Sequence, residues 1–169
     1  RADLLQGKGR QWASGKVASS QTVLVEYSGL PLQSFTRYHW RVRVYNQHGQ
    51  VSAWSEPQWF ETAMLKKEDW KGKWIGDGRK QFEKDEAFYQ DDPMPLFRKS
   101  FQPEKAIASA RLYVSGLGYY EAYLNGKKIG DHVLDPGWTT FKKQVLYVTY
   151  DITSQVKKGR NTIVFMLVY

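Results

Sequence analysis

Two adjacent carboxylates, Asp91 and Asp92, stand in the segment QDDPMP between Gln90 and Pro93. Neighbouring acids in a loop whose geometry proline fixes suit a hard cation such as Ca²⁺, which gathers roughly six to eight oxygens from carboxylates and carbonyls. A solvated acidic turn is the plainer reading of the same residues. Trp138, after Pro136-Gly137 in DPGWTTF, is the other candidate. It is either a plug of the core or a flat contact for a neighbouring domain or a sugar ring. Acid/base glycoside hydrolysis needs two carboxylates flanking a cleft. Glu121, Asp131, Asp135 and Asp151 are present, but no spacing pairs them. His39, His48 and His132 stand at no metal-ligand spacing from one another. Gly116-Leu117-Gly118 lacks the third glycine and acidic partner of a dinucleotide fingerprint, and nothing marks a nucleophile elbow. No catalytic residue is expected in this chain.

The composition bounds what can carry these side chains. Aromatic residues make up 15% of the 169 residues, with seven Trp and eleven Tyr, against a hydrophobic fraction of 41%. That mix favours β-cores, where aromatic and β-branched side chains pack on pleated surfaces, and it also suits carbohydrate stacking. Most of the rings belong in cores. The formal net charge is +8, yet basic residues come in twos such as Lys66-Lys67 and Lys157-Lys158. A solvated lysine-rich surface is therefore expected rather than a nucleic-acid groove. Cysteine is absent, which excludes a disulfide framework and thiol chemistry. No apolar run of about 18 residues occurs, so no membrane-spanning helix is expected. The chain does not begin with Met, so the lack of a leader says nothing about location.

The elements read as strands. Residues 21–27 alternate weakly. In TRYHWRVRVYNQHGQVSAWSE, Tyr38, Trp40, Val42 and Val44 share one face and His39, Arg41, Arg43 and Tyr45 the other. This period of two predicts a half-buried antiparallel strand. NQHGQ predicts its turn and VSAWSEPQWFET the return, with Pro57 at an edge or bulge. Residues 63–74 form a charged connector ending in Trp70 and Trp74. A long irregular stretch follows, then a strand at LFRKSFQ and another with Ala110, Leu112 and Val114 on one face. Asn125-Gly126 predicts a type I′ hairpin with Leu124 opposite Lys127, Tyr123 opposite Lys128 and Ala122 opposite Ile129. Ala122, Leu124 and Ile129 then face the core. QVLYVTYDIT places Leu146, Val148, Tyr150 and Ile152 together. One helical turn capped by Thr153 follows, and TIVFMLVY is apolar on both faces, as a central strand is. The fold class is all-β, with two β-sandwich or jelly-roll-like domains over 1–65 and 74–169 and a linker over 66–73. Each domain is expected to be interrupted at its end of the chain.

Two resemblances follow from these motifs. Tyr-x-Trp-x-Val-x-Val, the Asn-x-x-Gly turn and Ser-x-Trp-Ser-Glu-Pro resemble the last two strands of a fibronectin type III domain, whose earlier strands are expected upstream of Arg1. From Trp70 onward, WKGKWIG, PLFRKSF, ARLYVSGLGYYEAYLNGKKIGDHVLDPGWTTF, VLYVTYDIT, KKGRNTI and ML resemble the N-terminal β-domain of bacterial α-L-rhamnosidases. The end departs from that family, which usually continues Met-Leu with Gly-Asn-Gly-Trp-Tyr where this chain has Val168-Tyr169. Either the sequence differs there or residues are joined across a gap.

The resemblance implies a non-catalytic N-terminal fragment of an inverting hydrolase that removes terminal L-rhamnose from glycosides or polysaccharides. Its acid and base would lie in a downstream helical-barrel domain that this part braces. Rhamnose-containing glycans are the implied partners. Relatives of the second domain that bind rhamnose through calcium put Asp91 and Asp92 forward as sugar and metal contacts; Trp138, from its place after the Pro136-Gly137 turn, is the further carbohydrate-contact candidate. The fragment itself is expected to require no cofactor, Ca²⁺ being a structural or sugar-bridging option. A secreted or periplasmic location accompanies this reading, a cytoplasmic one being the alternative. The competing function is a free-standing carbohydrate-binding or adhesion module.

Overall fold

The computed structural model describes residues 2–6, 9–78 and 93–168. The chain divides into two compact units, Arg1–Ile75 and Gly76–Tyr169. In the first, a single helical turn, α1 (Ala2–Leu5), precedes a pair of short antiparallel strands, β1 (Arg37–Trp40) and β2 (Gln58–Glu61). Tyr38 pairs with Phe60 and Trp40 with Gln58. Thr62, which is buried, closes the pair: its hydroxyl donates to the Gln33 carbonyl and accepts from the Thr36 N–H. Asp69, in a 3₁₀ turn over Lys67–Asp69, accepts from the Ser34 hydroxyl and the Lys66 N–H. These two bonds hold its carboxyl below the usual carboxylate range.

The long strand expected from Arg37 to Tyr45 is cut short at Trp40, and the reason lies in two serines. The N–H groups of Val42 and Val44 donate to the hydroxyls of Ser55 and Ser52, each at 3.1 Å. The same serines return their own N–H groups to the carbonyls of Val42 and Val44 at 2.8 and 2.9 Å. Hydroxyls thus stand in for ladder carbonyls. The register slips by one residue between Ser52 and Ser55 and again before Gln58, as bulges do. The turn itself forms as its sequence predicts: Gly49 takes a φ of 77°, and the Asn46 side chain accepts from the N–H groups of His48 and Gln50.

Two other expectations for this unit are corrected. Of the face read as half-buried, only Tyr38 is so, packing on Phe60 at 5.5 Å. Trp40, Val42 and Val44 are 45%, 51% and 66% exposed, because no second sheet covers them among the described residues. Residues 21–27 form no strand. A strand needs a neighbour for its alternate donors and acceptors. Here the Gln21 amide satisfies the carbonyls of Val23 and Leu24 instead, and Leu24 turns into the left-handed region.

The second unit is a pair of antiparallel sheets facing each other across one core. Six strands build it: β3 (Leu96–Phe101), β4 (Arg111–Ser115), β5 (Tyr119–Leu124), β6 (Lys127–Lys128), β7 (Tyr147–Asp151) and β8 (Asn161–Val168). One sheet has the order β3-β8-β5-β6 and the other pairs β4 with β7. The apolar run of β8 is therefore a central strand, as its two apolar faces require. The hairpin has the expected register, Tyr123 with Lys128 and Leu124 with Lys127, and the Ile129 N–H donates to the Ala122 carbonyl. Asn125 and Gly126 take φ of 53° and 81°, the signature of a type I′ turn. Tyr120, Ala122, Leu124 and Ile129 from one sheet meet Tyr150 and Ile152 from the other, with Leu112, Val114 and Val148 packed against them.

A polar knot locks the hairpin to the segment before β8. Asn161, fully buried, accepts from the Lys157 N–H and the Asn125 amide and donates to the carbonyls of Lys157 and Gly159. Asn125 in turn accepts from the Thr162 N–H. The helical turn after β7 is present, with the Val156 N–H on the Ile152 carbonyl, but its cap differs from expectation. Asp151 caps the Thr153 N–H, while the Thr153 hydroxyl accepts from the Ala110 N–H, just before the paired strand β4.

Candidate functional site

The segment between β6 and β7 carries the candidate Trp138, and its path is set by a small polar cluster. Asp135 and Pro136 are joined by a cis peptide bond, and the Asp135 carbonyl accepts the Tyr120 N–H at 3.0 Å. The Asp135 carboxylate accepts the Tyr150 hydroxyl at 2.6 Å and lies 2.7 Å from His132 Nδ1. Burial, then the bond to Asp135, pushes the Tyr150 phenol well above its ordinary value. Burial likewise pushes Tyr120 up to about 12. The Tyr120 hydroxyl is within electrostatic reach of Tyr150, yet it is buried without a formed hydrogen bond. Gly130 takes a φ of 70°, and a Cβ there would sit 2.8 Å from the Tyr150 ring. Only glycine lets the chain pass this close. The cluster is a clasp: Tyr120 and Tyr150 tie Asp135 to β5 and β7, while His132 holds it from within the loop.

Beyond the clasp, the loop turns its apolar side chains outward. Trp138 is 67% exposed. Tyr119 and Phe141 lean on its indole at 5.9 and 4.9 Å, with their planes tilted by 52° and 48°. Val133 and Leu134 on the same loop are also exposed. Trp138 is therefore not the core plug that one reading offered. It is a surface ring with its orientation fixed by two aromatic neighbours.

The other expected site residues do not join it. Asp91 and Asp92 lie outside the described residues. Glu121 is held by Lys128 and the Tyr123 hydroxyl, both at 2.6 Å, and these partners depress its carboxyl. Asp151 pairs with Arg111 at 2.8 Å. No group of three or more histidines and acids that could hold a metal occurs among the described residues, and no helix there is long and apolar enough to cross a membrane. The clasp was missed by sequence reasoning, although the i, i+3 spacing of His132 and Asp135 was a legible signal. Its third member, Tyr150, comes from a strand that only the fold brings near.

Known proteins resemble both units. The family model described as Rha78A-like, N-terminal immunoglobulin domain matches residues 3–66, and the alpha-L-rhamnosidase N-terminal domain matches residues 105–168. The first match corrects the fibronectin type III expectation: the domain is immunoglobulin-like. An alpha-L-rhamnosidase of Formosa agariphila is 39% identical over 92% of this chain and 18% of its own length. Another from Alteromonas sp. is 34% identical over 90% of this chain and 17% of its own. Among solved structures, the alpha-L-rhamnosidase from Dictyoglumus thermophilum matches with a TM-score of 0.83 and 34% identity, over 98% of this chain and 19% of that one. The native enzyme from Aspergillus terreus matches with a TM-score of 0.75 and 34% identity, over 89% and 17%. The chain thus spans less than a fifth of each of these four relatives. It is homologous to the N-terminal region of alpha-L-rhamnosidases, with an immunoglobulin-like domain followed by a rhamnosidase N-terminal domain.

Proposed function

We propose that this chain is the non-catalytic N-terminal part of an enzyme that hydrolyses terminal L-rhamnose from glycosides or polysaccharides with inversion. Its second unit braces the remainder of that enzyme through the Trp138 loop. The observation that carries the reading is the 39% identity to an alpha-L-rhamnosidase of which the chain spans 18%. The acid and base then belong to the rest of the protein, where two carboxylates would flank the glycosidic oxygen and a water. A brace suits the loop chemically. Val133, Leu134 and Trp138 are exposed apolar side chains on one loop, of the kind that protein contacts cover, and tilted neighbours on the indole favour side-chain packing over a flat sugar platform. A secreted or periplasmic location fits an enzyme acting on polysaccharide.

Two measurements test this. The 169-residue chain should give no turnover of a chromogenic rhamnoside, and measurable hydrolysis would overturn the non-catalytic reading. In the full-length enzyme, Trp138→Ala should lower the temperature at which activity is lost while leaving KM for a small rhamnoside unchanged. A raised KM for polysaccharide at unaltered heat stability would replace the brace with a carbohydrate-binding module.

A further inference from the structure

The first unit carries a second surface, made by residues on one face of the bulged hairpin. The Arg41 and Arg43 guanidiniums lie over the Trp54 indole, 4.4 and 4.5 Å from its centroid. Arg43 also reaches the Tyr45 ring at 5.6 Å, and Lys16 lies over that ring at 4.9 Å. The alternation of strand side chains puts residues 41, 43 and 45 on one face. The two serine bridges hold them opposite Trp54 by fixing Val42 and Val44, the residues in between. The stack is therefore built by backbone geometry and not by chance meeting of flexible side chains.

Arg37, one turn of the pattern away, shows what a satisfied arginine looks like in this unit. It lies over Trp59 at 4.0 Å and also grips Glu61 at 2.6 Å. Arg41 and Arg43 have the aromatic support without the carboxylate: neither forms an ion pair among the described residues. A guanidinium stacked on a ring keeps its N–H fork directed along its own plane, ready for a bidentate oxyanion.

We propose that the Arg41–Arg43–Trp54 face binds a carboxylate-bearing glycan, with the two guanidinium forks taking the acid groups of uronate units. The choice of a glycan rests on the proposed function above. The choice of an anionic one rests on this surface alone. A nucleic acid fits less well, because a base stacking on Trp54 would compete with the two guanidiniums that already lie over its ring.

The test uses the full-length enzyme on polygalacturonate, neutral dextran and poly(dT), read by retardation in affinity electrophoresis at about 50 mM NaCl, where surface charges are weakly screened. Wild type should be retarded by polygalacturonate, more weakly by poly(dT) and not by dextran. The double variant R41Q/R43Q should weaken polygalacturonate binding on the order of tenfold, as expected for two lost charge-assisted contacts. Lys142→Gln with Lys143→Gln removes the same charge from the other unit and should leave binding unchanged. R41K/R43K, which keeps the charge and loses the fork, should bind several-fold more weakly than wild type, and it is the readout if the glutamine pair unfolds. No retardation of wild type, equal weakening by the lysine control, wild-type binding by R41K/R43K, or tighter binding of poly(dT) would each overturn the proposal. Turnover of a chromogenic rhamnoside by the same wild-type preparation separates the two readings. Its absence counts against the proposed function and leaves the measured glycan affinity to stand or fall by itself.

Discussion

The two units reach order by different means. All the buried hydrophobic residues among the described ones, Tyr120, Ala122, Leu124, Ile129, Tyr150 and Ile152, belong to the second unit. The first unit is instead tied by hydroxyls and rings: Thr62 and Ser34 at one end, the Ser52 and Ser55 bridges in the hairpin, and arginines stacked on Trp54 and Trp59. Apolar burial is collective, so each side chain removed from the second core leaves a cavity that its neighbours cannot fill. Hydrogen bonds and cation–π contacts at exposed sites are worth less apiece. Sensitivity to single substitutions should therefore be concentrated in the second unit.

That contrast can be broken at its strongest point first. Leu124→Ala removes a side chain 1% exposed and should cost about 3 kcal/mol, seen as lost hydrogen-exchange protection at the Ile129 amide. Asn161→Ala leaves the Lys157 N–H and carbonyl without their partner and should cost about 2 kcal/mol by the same readout. Gly126→Val forces a β-branched residue to positive φ and should cost about 1–2 kcal/mol. Unchanged melting would refute the structural role of the turn. In the first unit, Val42→Ala should change stability by no more than about 0.5 kcal/mol, because its side chain is already open to water. A large loss there would mean that this face is covered in the protein.

The smallest effect concerns pH. The Glu121 carboxyl is depressed first by Lys128 and then by Tyr123. Its contribution is thus present above the ordinary glutamate pKa and lost as pH falls through the lowered value. Glu121→Gln should flatten the acid limb of the second unit's melting curve slightly; an identical limb would remove the pair from the account. At the alkaline end the sign reverses. Tyr120, raised to about 12, contributes fully below the ordinary phenol pKa, and that contribution is lost as pH rises through the raised value.

Legibility in the sequence followed the same division. The hairpin at Asn125-Gly126 was readable to the residue, because turn chemistry and period-two alternation specify register together. The apolar run of β8 announced a central strand for a similar reason. In the first unit the alternation of Tyr38 to Val44 was real, but burial did not follow, since a face is buried only when another layer meets it. Nor could alternation reveal that the hydroxyls of Ser52 and Ser55 would intercept the ladder. At the candidate site, Trp138 was identifiable as a type of residue, while its exposure was not.

By itself the sequence determined the all-β class, the hairpin register, the order of the family motifs and the lack of cysteine chemistry. These depend on local periodicity, turn stereochemistry and composition. Tertiary structure alone decided that Asp135 meets both His132 and Tyr150, that Asn161 knots two turns together, and that Trp138 faces outward. It also brought Arg41 and Arg43 over one indole. Each of these joins residues that local spacing does not relate, and it is set by how strands and loops pack.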